Sequence, residues 1–211
     1  LTRWTLAQAR LLADALADAG HPLRVYAAMR NWHPFIADVV GQMRADGVTR
    51  LLAVCLAPQN SSTSTGLYRR ALIAALEAGH AGQAAHDASP AAPEIALTFI
   101  EEWPEEPALI AAFAQRLADL YPRACAEAGM DALPVLFTAH SVPCRTLQSS
   151  ESNPIADLYP IQAKRTAELV FDAASRLLAS AGRRLSTPGR QLPTLKTWLF
   201  GVVRLTAREL R

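Results

Sequence analysis

Three stretches of this 211-residue chain set chemically capable side chains at the ends of apolar runs. In the first, Val135, Leu136, Phe137 and Thr138 lead within two residues to His140 and Ser141. A short β-prone run bounded by Pro134 and the loop from Ser141 to Pro143 reads as a buried parallel strand. Ligands of open α/β sheets bind outside the carboxyl ends of the strands, where His140 would lie. A neutral imidazole there can accept a proton or bind a divalent transition metal, because its unperturbed pKa lies near neutrality and nitrogen is a good ligand. The plainer alternative is a loop histidine bonded to nearby backbone. In the second stretch Arg30 follows the apolar run from Leu23 to Met29. A planar guanidinium can grip a carboxylate through two parallel hydrogen bonds, or it can simply be solvated. In the third, Leu51 to Leu56 opens into a hydroxyl-rich loop that holds Ser61, Ser62, Thr63, Ser64 and Thr65 and runs through Gly66 to Tyr68. Such hydroxyls, with the free N–H groups of a helix start, suit anionic oxygens; helix capping alone would also account for them.

The remaining candidates are weaker. His33, between Trp32 and Pro34, reads as a residue that orients a helix start, and His80 and His86 lack a third metal ligand nearby. Cys55, Cys125 and Cys144 are odd in number and lack CxxC spacing, which speaks against a disulfide framework, a zinc site or a self-contained iron–sulfur cluster. Cys55 and Cys125 read as small buried hydrophobes, whereas Cys144, four residues after His140, could face a site.

Positioning these residues calls for strands that alternate with helices. A first helix has Thr5-Leu6-Ala7-Gln8 as a capping box and Leu12 and Leu16 on one face, and Gly20 ends it. Strands are expected at Leu23–Met29, Leu51–Leu56, Glu94–Ile100 and Val135–Thr138. The helix after Pro34 should bury Phe35, Ile36, Val39, Val40 and Met43. Beyond the acidic turn Glu101–Pro107 a long helix should cover the sheet with Leu109, Ile110, Phe113, Leu117 and Leu120, and a last helix should run from Tyr159 to about Ala181. The acidic turn is most simply a charged helix start, though it could attract a cation. Gly79 to Pro93, without periodicity, reads as a flexible excursion. The pattern predicts an α/β domain over residues 1–181, a parallel sheet with helices on both faces, followed by a divergent basic tail over residues 182–211.

Composition narrows the function. A hydrophobic content of 51% is ample for a core, and a formal charge of +2 with scattered Lys and Arg does not suggest a nucleic-acid surface. No apolar run reaches the eighteen or so residues that span a bilayer, and no signal peptide opens the chain, so a cytoplasmic protein is the expectation.

The motifs together resemble the ferrochelatase family. His140-Ser141-Val142-Pro143 is similar to its strand end S-A-H-S-x-P, and Asp157-Leu158-Tyr159-Pro160-Ile161-Gln162 to its G-D-P-Y-P-x-Q turn, with Leu158 in place of Pro and no Gly before Asp157. Met29 to Phe35 resembles M-R-Y/W-W-H-P-F almost letter for letter. The loop from Leu56 to Gly66 resembles L-x-P-Q-Y/F-S-x-x-T-T-G, with Asn60 in place of the aromatic. The resemblance covers roughly residues 4 to 181. An opening strand and loop with porphyrin contacts have no counterpart, which suggests residues missing before Leu1, and the tail lacks the Q-S-x-G, the W-L/I-x-P and the facing carboxylate of the family's second half.

The resemblance implies one of the two similar halves of a ferrochelatase, and insertion of Fe2+ into protoporphyrin IX or coproporphyrin III in heme biosynthesis. It implies His140 as the catalytic and metal-binding residue, with Arg30, Ser64, Thr65, Tyr68 and Ser141 holding porphyrin and its propionates. Porphyrin and ferrous iron are the implied partners, no cofactor beyond the substrate iron is expected, and no iron–sulfur cluster. Two alternatives stay open: a small homodimeric class II chelatase, and an inactive porphyrin-binding fragment. The oligomeric state is open with them.

Overall fold

The protein is described by a computed structural model covering residues 2–81, 94–149, 155–183 and 185. The excursion beyond Ala81, His86, the side chain of His80 and the tail beyond Leu185 lie outside the described residues. Two compact units divide the chain, one of Leu1–Leu56 with Ser64–Glu101 and one of Ala57–Thr63 with Glu102–Arg211.

The first unit is α/β. It contains α1 (Thr2–Asp18), α2 (Ile36–Ala45), β1 (Arg50–Val54), α3 (Thr65–Ala81) and β2 (Ala96–Ile100). The two strands pair in parallel, with Arg50 opposite Ala96 and Val54 opposite Ile100. Because side chains alternate across a strand, Leu51, Ala53, Leu97 and Phe99 share one face. That face packs on Ile36 and Val40 of α2 and Leu72 of α3. Val39 and Met43 complete the buried side of α2, as the spacing of apolar residues predicts. Val40 is only 1% exposed, and burying a side chain of this kind contributes roughly 1.5–3 kcal/mol.

Two expectations for this unit are corrected. Among the described residues Leu23–Met29 forms no ladder beyond an isolated Met29–Phe35 bridge. Side chains fasten it instead: Arg24 donates to the Asp46 carbonyl at 2.6 Å and the Tyr26 hydroxyl to the Asp46 carboxylate at 2.7 Å. Among the described residues α2 and α3 pack on one face of the sheet, and Leu52 and Val54 on the other are 58% and 48% exposed. A continuous apolar run reports strand propensity; what lies over each face is not written in it. Thr5 lies inside α1, which begins at Thr2, so it caps nothing. Gly20 does end α1: its φ is +81°, and the N–H of His21 closes onto the Leu16 carbonyl.

The second unit is built on α4 (Pro107–Ala128) and α5 (Tyr159–Ser180). Glu106 caps α4 by accepting from the Ala108 N–H, Pro107 stands in the first turn, and Gly129 ends the helix at φ +64°. Ile110, Ala114, Tyr121 and Cys125 are buried on α4, and Val170, Ala174 and Leu178 on α5. Tyr121, Cys125 and Leu178 form one cluster, with Leu133 and Val135 packed against it. The face of α4 that meets α5 therefore takes the buried positions, and Phe113 and Leu120, expected to cover the sheet, are 55% and 51% exposed. Val135–Thr138, expected as a strand, joins no ladder among the described residues. The Tyr121 hydroxyl holds the neighbouring backbone, accepting from the Leu133 N–H and donating to the Leu133 carbonyl, both at 2.9 Å. No described helix is long and apolar enough to cross a membrane.

Candidate functional site

Arg30 and Tyr68 meet in the first unit. Arg30 follows Met29, whose N–H donates to the Pro34 carbonyl at 2.8 Å and so closes the turn that leads into α2. Its guanidinium carbon stands 5.8 Å from the centre of the Tyr68 ring. Nε of Arg30 is buried and has no hydrogen-bond partner among the described residues. A buried donor without an acceptor is costly, so the arrangement suits an anionic oxygen from a ligand. Ser64 and Thr65 form the start of α3: the Ser64 carbonyl accepts from the Leu67 and Tyr68 N–H groups, and Thr65 is 1% exposed. His33 lies edge-on to Phe35 with ring centres 4.4 Å apart, which fits the reading that it orients the start of α2.

His140 and Ser141 belong to the second unit, and both are exposed. The N–H of His140 donates to the Tyr159 hydroxyl at 2.9 Å. Past Pro143 the chain makes a single 3-10 turn, Cys144–Thr146, with the Thr146 hydroxyl on the Pro143 carbonyl. Cys144 is exposed.

The turn before α5 gathers this region. Asp157 donates its N–H to the Thr146 carbonyl at 2.7 Å. Its carboxylate accepts from the Ser62 N–H at 2.9 Å and from the Ser61 and Ser62 hydroxyls at 3.3 and 3.2 Å. One turn into α5, buried Gln162 accepts from the Asn60 N–H at 2.7 Å and donates to Glu102 at 2.6 Å. The Gln59 amide reaches the Thr166 hydroxyl at 3.2 Å. These side chains were legible only as letters of a motif. The signal that could have found them is a carboxylate two residues ahead of a tyrosine at a helix start, across from a run of hydroxyls.

The acidic turn is occupied by structural partners: Glu101 pairs with Arg69 at 3.6 Å, Glu105 with Arg165 at 3.2 Å, and Glu106 caps α4. Among the described residues no group of three His, Cys, Asp or Glu side chains could hold a metal ion.

The family model for ferrochelatase matches residues 1–184. The chain belongs to the ferrochelatase family. It is 50% identical to the ferrochelatase of Acidobacterium capsulatum over 175 residues, which are 79% of this chain and 47% of that protein. It is 35% identical to the Deinococcus radiodurans ferrochelatase over 170 residues, 81% of this chain and 48% of the relative. The Thermus thermophilus ferrochelatase is 35% identical over 163 residues, 76% of this chain and 44% of its own length. The chain thus spans about half the length of the curated relatives it matches. Within the ferrochelatase match fall the Arg30–Tyr68 pair, the His140 segment and the Asp157–Tyr159 turn.

Proposed function

We propose that this chain carries part of the machinery that inserts ferrous iron into a porphyrin, protoporphyrin IX or coproporphyrin III, in heme biosynthesis. The observation that carries the reading is the exposed His140 that follows the apolar run Val135–Thr138, in a chain whose residues 1–184 match ferrochelatase. The domain boundary expected near residue 181 is kept as part of the reading, supported by the end of that match at residue 184.

Insertion exchanges two pyrrole protons for Fe2+, so the macrocycle's nitrogens must be deprotonated as the metal arrives. In this reading neutral His140 offers its one basic ring nitrogen first to the incoming substrate iron and, once the metal has passed to the macrocycle, to one of the two pyrrole protons, the other leaving to water. Ser141, next to it and exposed, borders the ring. Arg30 binds a propionate carboxylate, which gives its buried Nε the acceptor it otherwise lacks among the described residues, and Tyr68 lies under the guanidinium. Ser64 and Thr65 set the start of α3 and so the place of Tyr68. Porphyrin and Fe2+ are then the partners, and no resident cofactor is needed for proton exchange of this kind.

The test is a porphyrin absorbance titration followed by anaerobic Zn2+ or Fe2+ insertion, on the parent chain and on His140→Ala. The parent is expected to bind porphyrin and to insert metal slowly; His140→Ala should bind porphyrin, keep its helical signal and lose insertion. A parent that binds no porphyrin, or a His140→Ala protein that inserts at the parent rate, would overturn the assignment. Gel filtration of the active species separates a homodimeric class II chelatase from a monomeric one.

A further inference from the structure

We infer that Tyr159 is a positioning residue for His140, acting through a hydrogen bond to its backbone; the inference rests on the role proposed for His140 above. His140 lies within a segment, residues 134–143, that joins no ladder among the described residues. A strand end is normally aimed by its neighbours in the sheet, and here that support comes from side chains. The Tyr159 hydroxyl accepts the His140 N–H at 2.9 Å. That bond sets the peptide plane ahead of His140 and with it the direction in which its side chain leaves the backbone.

Tyr159 is itself well placed to hold a direction. It opens α5, Pro160 follows it in the first turn, and the Leu158 carbonyl takes the Gln162 N–H at 3.0 Å. Two residues earlier Asp157 binds the Thr146 carbonyl at 2.7 Å, just beyond the other end of the His140 loop. The same turn therefore grips the loop at His140 and again at Thr146, so the imidazole is carried on a span fixed at both ends. Both side chains of the pair keep some exposure, His140 exposed and Tyr159 half-buried. Losing the hydroxyl should leave the fold standing and let the loop swing. A displacement of about 1 Å at a reacting group can cost on the order of a hundredfold in rate.

The experiment compares Tyr159→Phe with the parent chain in Zn2+ insertion into porphyrin, with porphyrin Kd, circular dichroism and amide exchange at His140 measured on the same proteins. The expected result is a kcat lowered about ten- to a hundredfold, a Kd and KM within about twofold of the parent, unchanged helical signal and faster exchange of the His140 amide. A Tyr159→Phe chain with the parent's kcat overturns the inference alone. So does a fall in kcat that follows a loss of helical signal, since the hydroxyl would then be holding the fold. A parent chain that inserts no metal overturns the chelatase reading and the inference with it.

Discussion

Replacing Arg30 with alanine should move ligand affinity and the stability of the ligand-free protein in opposite directions. In the ligand-free chain the buried Nε has no partner among the described residues, and leaving such a donor unmade costs about 1–3 kcal/mol. Against this stands the contact of the guanidinium with the Tyr68 ring at 5.8 Å, worth about 0.5–1 kcal/mol at a partly exposed site. Removal should leave stability unchanged or raise it, by up to roughly 2.5 kcal/mol, the largest cost less the smallest gain. Binding should respond the other way. A hydrogen bond from a guanidinium to a carboxylate contributes about 1.5–3 kcal/mol, so porphyrin Kd should rise roughly ten- to 150-fold. Arg30→Lys keeps the charge but loses the two-pronged fork, and should recover only part of the affinity. Urea denaturation gives the stability term, and an absorbance titration with the dicarboxylate porphyrin gives Kd. An unchanged Kd would return Arg30 to the solvated class. A loss of more than about 1 kcal/mol in the ligand-free protein would show that Arg30 holds the fold and that its Nε is not in deficit.

Three further outcomes test the scaffold. Asp157→Ala removes the acceptor of one good backbone bond and two long hydroxyl bonds, and should lower stability by about 2–3 kcal/mol and speed exchange of the Ser62 amide; a change under about 0.5 kcal/mol would refute the clasp. Val40→Ala removes two methyl groups from a site 1% exposed and should cost about 2–3 kcal/mol in urea, with a value near zero showing that the α2–α3 core relaxes around it. The Tyr26–Asp46 pair predicts a pH profile. Hydrogen bonds from Tyr26 and then Gln42 hold the Asp46 carboxyl below its ordinary range, so its contribution is present above the unfolded value near about 4 and fades as pH falls through the folded value. Burial and then the bond to Asp46 raise the Tyr26 phenol above 10.0, so its contribution is present below that pH and fades as pH rises through the folded value. Tyr26→Phe should flatten both limbs of the urea midpoint against pH, and a profile identical to the parent's would refute the link.

The helices were legible because their signals are local. Ile36, Val39, Val40 and Met43 recur at helical spacing and all are buried, and Gly20 and Gly129 mark helix ends with positive φ. Strand pairing is not local. Leu23–Met29 and Val135–Thr138 have the composition of strands, yet Asp46 draws the first by its side chains and Tyr121 fastens the backbone beside the second. The position of His140 after an apolar run could be read directly, and so could an arginine after Met29. What could not be read was the reach of Asp157 across 95 residues to Ser62, because hydrogen bonds between distant loops leave no period in a sequence. Phe113 and Leu120 show the same limit from the other side: their spacing promised burial, and the face that α5 covers is a neighbouring one.

The three cysteines differ in burial, which makes the protein easy to label. Cys125 is buried, Cys55 is half-buried and Cys144 is exposed. Thiolate access governs the rate at which a maleimide adds, so a brief, substoichiometric reaction should mark Cys144 ahead of the others. The mark sits four residues from His140, on the turn whose last residue, Thr146, is bonded to Asp157. A fluorophore there would be quenched by a porphyrin arriving near His140, which turns an ordinary thiol into an optical reporter of occupancy on the unmutated chain.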